Sequence, residues 1–131
     1  RWVQRNLRGR IYTSAIGLTL TVPALLALGL GGGLTAAVGG AILFGVGFGM
    51  FDANNMPILC QFVAPRHRAA GYGLMNMLGV ASGALVTSLL GRSADAGRLG
   101  RDMALLAVPV ILAVALQLIV LRPKTADRLN G

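Results

Sequence analysis

Apolar and small residues fill four stretches of the chain, 11–30, 35–55, 71–90 and 103–121, and charged side chains fall almost wholly between them. Within each stretch the apolar residues run on without the alternation of a half-buried strand. Each stretch is about twenty residues, the length a helix rising about 1.5 Å per residue needs to cross a hydrocarbon layer of roughly 30 Å. Lipid tolerates no unpaired backbone, so continuous apolar segments of this length predict helices. The pattern therefore predicts an all-α, polytopic membrane protein with four transmembrane helices, embedded in a lipid bilayer.

Composition supports the same reading. Of 131 residues, 55% are hydrophobic and 12% charged, which leaves too little polar surface for a water-soluble fold to cover four such helices. The first stretch is longer than the core of a secretion signal, has Pro23 at its middle and lacks a small-residue cleavage site.

Charge position adds a direction. Charged residues lie at 1–10, 66–68, 92–102 and 122–128, with Asp52 the sole outlier. With the amino end in the cytoplasm, the inner segments hold Arg1, Arg5, Arg8, Arg10, Arg66, Arg68, Arg122, Lys124 and Arg128, against Arg92, Arg98 and Arg101 outside. That asymmetry predicts a multi-pass protein of the inner (plasma) membrane with both ends cytoplasmic. It also accounts for most of the net charge of +8, so a nucleic-acid partner is not needed to explain it. The first ten residues resemble a loop between two spans, which predicts that residues 1–131 are the C-terminal part of a longer transporter membrane domain.

Several chemistries are disfavoured. A single cysteine, Cys60, a single histidine, His67, and the lack of any glutamate rule out a disulfide framework and argue against a metal site. The glycine runs GLGGGL and GVGFGM do not fit G-x-G-x-x-G, and there is no P-loop lysine. Neither a cofactor nor an enzymatic activity is expected.

Small residues predict how the helices pack. Gly45 and Gly49, Gly79 and Gly83, and Ala36 and Gly40 are spaced four apart, which clears a stripe for close helix approach. Asp52 continues the stripe of Gly45 and Gly49 at i, i+4 and i+7, so it is expected to face a neighbouring helix. Counting back from Arg66 places it roughly 21 Å from that charge, inside the membrane.

An ionisable group there costs about 2.5–3.5 kcal/mol on insertion scales, and needs a partner or water. Asn54 and Asn55 supply amides beside it, and Asn76 in the third stretch is expected to face them. Pro57 frees the carbonyl of Ala53, which predicts a locally perturbed helix with polar groups open to a cavity. Two readings of the cluster stay open: Asp52, Asn54, Asn55 and Asn76 line a substrate or proton path, or they stitch helices together. Thr21, Thr87, Ser88 and Gln117 are weaker candidates, since hydroxyls in spans commonly bond their own helix's carbonyls.

The order RWVQRNLRGR, two spans, APRHRAAGYG and a span ending in GRSAD resembles the last third of a major facilitator superfamily transporter. Pro65, Arg68, Ala69 and Gly73 resemble that family's proline and R-[AG]-x-x-x-G turn, and FDANNMPILCQFVAPRHRAAGYGLMN is similar to its bacterial sugar and organic-anion symporter branch. The resemblance implies that the four spans are helices 9 to 12 of a twelve-helix fold. It further implies alternating-access transport of a small polar solute coupled to a proton or sodium ion, with Arg66 and Arg68 at the cytoplasmic gate. The other partners implied are the remaining helices of the full-length chain. Two other classes compete with this reading: a four-helix multidrug exporter, which relies on a glutamate in its first span, and a non-transporting membrane anchor or assembly subunit.

Overall fold

The computed structural model describes residues 9–121, and the basic residues Arg1, Arg5, Arg8, Arg122, Lys124 and Arg128 lie outside them. The described residues form helices α1 (Gly9–Leu30), α2 (Leu34–Phe62), α3 (Arg68–Asp95), α4 (Leu99–Leu105) and α5 (Ala107–Val120), with a 3-10 turn at Pro65–His67. There is no strand among them. Four helical segments are long and apolar enough to cross a membrane, the fourth being α4 and α5 together, Leu99–Val120.

Local chemistry sets the boundaries. Gly33, at φ 95, turns the chain into α2 through a backbone conformation that only glycine adopts cheaply. The predicted end of that span at residue 55 falls seven residues short, because Asp52, Asn54 and Asn55 sit within an unbroken helix and Pro57 does not stop it. What ends α2 is the extended backbone of Val63 and Ala64 ahead of Pro65, the conformation a following proline ring imposes.

The far end of α3 closes on glycine. Gly97 takes φ 69, its N–H donates to the Ala94 carbonyl at 3.0 Å, and the Arg98 N–H donates to the Ser93 carbonyl at 2.9 Å. This is the Schellman pattern, which satisfies carbonyls that a helix end otherwise leaves open. The single span predicted at 103–121 is two helices meeting at Leu106. Pro109 brings no N–H to the carbonyl of Leu105, and the Leu106 N–H is shared between Asp102 and Met103 at 3.2 Å each.

α1 is the hub, packed on α2 along one side and on α4 and α5 along another. The fully buried side chains of Ile11, Ser14 and Ala24 lie on it. Contacts between Gly17 and Gly47, and between Ala24 and Gly40, make α1 and α2 an antiparallel hairpin. Gln117 meets Ile11 while Gly100 meets Gly29, so the α4–α5 segment is antiparallel to α1 as well.

The glycine pairs behave differently from expectation. Gly40 packs on Ala24 and Leu28 as its spacing predicts, but a side chain at Gly45, Gly49, Gly79 or Gly83 would meet nothing within 4 Å. Close approach is made by Gly17 with Gly47 and by Gly29 with Gly100. The stripe of α2 that faces α1 is Gly40, Gly47 and Asn54, spaced seven apart, and not the four-residue pairs.

Among the described residues, α3 is held chiefly near its ends. Its first turns meet the end of α2, with Gly71 against Leu59 and Val63, and its last turns meet α4. Elsewhere it is open, Val80 being 67% exposed, and Leu34 on α2 reaches 79%. Such contiguous apolar exposure suits a lipid or helix environment and not water.

Candidate functional site

Asp52 lies on α2 four residues past the helix midpoint, about 6 Å along the axis from its centre. A helix of that length puts the carboxylate inside the hydrocarbon layer if it crosses the membrane. At about 100° per residue, Asp52 is about 140° round the helix from Gly47, so it points away from α1. It is exposed, as are its stripe neighbours Gly45, Gly49 and Met56. The expected neighbouring helix on this face is absent among the described residues.

The two asparagines have separate roles. Asn55 Nδ2 donates to Asp52 Oδ1 at 3.4 Å, one turn back along the same face. Asn54 Nδ2 donates to the Met50 carbonyl at 2.7 Å, and seven residues past Gly47 it falls on the same face of the helix. The amide of Asn54 is thereby spent on its own helix. Asn76 is exposed on α3, and among the described residues it bonds to none of the three. Its neighbour Met75 shares a groove with residues of α2.

Met75 helps line a groove of about 730 Å³ with Phe51, Asn55, Ile58, Gln117 and Val120. Its walls are apolar apart from the two carboxamides, so it suits a hydrocarbon chain or a helix side chain better than a polar solute. Asn55, about 80° from Gly47, stands between this groove and the Asp52 face. Gln117 Nε2 reaches the Ile11 carbonyl at 3.5 Å, while its Oε1 is buried without a partner.

Thr21 follows the self-bonding pattern, its hydroxyl donating to the Leu18 carbonyl at 2.7 Å. Thr13 and Thr19 do the same to Gly9 and Ala15. Ser14 does not: its Oγ is fully buried with no partner among the described residues, and no motif in the sequence marks it.

Arg66 and Arg68, grouped together by sequence, part company in the structure. Arg66 projects from the 3-10 turn and is exposed. Arg68 folds back over the end of α2, with Nε donating to the Val63 carbonyl at 3.2 Å and Nη2 to the Cys60 carbonyl at 3.1 Å. A cation at a helix C-terminus both satisfies open carbonyls and opposes the negative end of the helix dipole.

Comparison with family models, curated proteins and solved structures gives no match to this chain.

Proposed function

We propose that this chain is the four-helix C-terminal part of a secondary active transporter of the major facilitator type, carrying a small polar solute such as a sugar or organic anion. The observation that carries the reading is the Asp52–Asn55 pair on an uncovered face of a membrane-length helix. A carboxylate at that depth needs water, an ion or a counter-group, and the chain's own described helices supply only one amide. Gly45 and Gly49, with open space where side chains would be, leave room beside it for a solute or for further helices.

Transport by alternating access then divides the labour between two ends of α2. Asp52 and Asn55 line the path, and Asp52 exchanges the coupling proton or sodium ion. Arg68 fixes the α2–α3 corner, leaving Arg66 free to meet acids of the cytoplasmic gate. Remaining helices of the full-length chain cover the open faces of α2 and α3, in a plasma membrane with the Arg66 corner inside.

A second reading, an assembly subunit that transports nothing, draws on the exposure of α3. Reconstitution separates the two. Full-length protein in proteoliposomes should accumulate a labelled sugar or organic acid when a proton or sodium gradient is imposed. Absence of gradient-driven accumulation across a panel of both solute classes would leave the assembly reading in its place.

A further inference from the structure

The end of the bundle opposite Arg66 holds a second cavity, about 360 Å³, between the last turns of α3 and the start of the α4–α5 segment. Val86, Leu89, Leu90 and Leu106 form its apolar walls, and Arg92, Arg98, Ser93 and Asp102 its polar side. The carboxylate here is already engaged. Ser93, 4% exposed, donates its hydroxyl to Asp102 Oδ2 at 2.5 Å, and Arg101 Nε lies 3.6 Å from Oδ1.

The ion pair of Asp102 is with Arg101, and neither Arg92 nor Arg98 has one among the described residues. Asp95 is exposed in the same corner but does not line the cavity. The Schellman turn on Gly97 fixes where Arg98 leaves the backbone, and the Ser93–Asp102 bond fixes α3 against α4. Two arginines thus line a largely apolar slot at the end of the helices opposite Arg66. Guanidinium binds phosphate oxygens in paired hydrogen bonds.

We infer that this cavity binds the phosphate headgroup of an anionic phospholipid, with Arg92 and Arg98 on the phosphate and an acyl chain along Val86, Leu89, Leu90 and Leu106. Basic pockets between membrane helices recognise headgroups by this combination of charge and apolar wall. The inference does not depend on what the protein transports.

Native mass spectrometry and thermal unfolding of the purified full-length protein in a neutral detergent test it, with phosphatidylglycerol, phosphatidylcholine and inorganic phosphate as separate probes. Phosphatidylglycerol should bind saturably and raise the melting temperature, and Arg92→Gln with Arg98→Gln should weaken binding about tenfold or more. The double variant should melt like the parent in detergent alone, since both side chains are exposed. Arg66→Gln, at the other end, should leave lipid binding unchanged.

Equal phosphatidylglycerol affinity in the double variant and the parent would overturn the assignment. Inorganic phosphate alone binding as tightly as phosphatidylglycerol would overturn it in favour of a soluble-anion site. Equal binding of phosphatidylcholine would overturn the requirement for an anionic lipid.

Discussion

Gly17 and Gly47 meet backbone to backbone: a Cβ built on either residue would stand 2.6 Å from the other's carbonyl oxygen. Neither α1 nor α2 can yield at that point without moving a whole helix. Gly47→Leu should therefore lower thermal stability of the detergent-purified protein by about 1–3 kcal/mol or prevent its accumulation. Gly45→Leu, two residues away, touches nothing in the described chain and should spare this hairpin. An equal loss at both positions would show that the hairpin is not what Gly47 protects.

Asp52→Asn keeps the shape of the side chain and a hydrogen-bonding group for Asn55 while removing the charge. In the transport reading, gradient-driven uptake falls far more than solute exchange across equal gradients. Both rates are measurable in the same proteoliposomes, after surface expression is matched. Equal loss of both would assign Asp52 to solute contact, and normal uptake would return it to a structural role.

Arg68→Ala removes two charge-assisted bonds from the end of α2 and should cost about 1 kcal/mol, less than buried bonds to charged groups because the guanidinium is partly solvated. Arg66→Ala removes no described bond. Hydrogen exchange at Phe62 and Val63 should quicken in the first variant and stay unchanged in the second.

Sidedness can be read with single cysteines in a Cys60→Ser background. An impermeant reagent outside the cell should miss Ala64→Cys beside the inner arginines and label Ala96→Cys in the α3–α4 turn. Outside labelling at Ala64→Cys would invert the orientation that the basic residues predict.

The four membrane-length helical segments were legible because each carries its evidence locally, as an unbroken apolar run between charges. Their ends were less so. Asn54 and Asn55 look like a boundary in a list of residues, yet a helix tolerates polar side chains wherever their amides find a carbonyl, as Asn54 finds Met50. Packing partners were hardest to read, since GxxxG spacing marks a bare face without naming what lies against it. Gly17 and Gly47 have no such spacing, and only the register of α1 on α2 makes them neighbours. The Asp52–Asn55 pair was visible at i and i+3, whereas Asn76 depended on a helix orientation that sequence spacing does not define.

α3 is anchored at two points, by the Arg68 corner and by the Ser93–Asp102 bond, with Gly79 and Gly83 facing open space between them. Among the described residues it is a strut about 42 Å long, pinned near both ends and open at mid-length. A displacement of its middle is therefore transmitted along the helix to the two pins. One pin holds the end of the helix that carries Asp52, and the other forms a wall of the arginine-lined cavity, so a load on α3 reaches both sites at once.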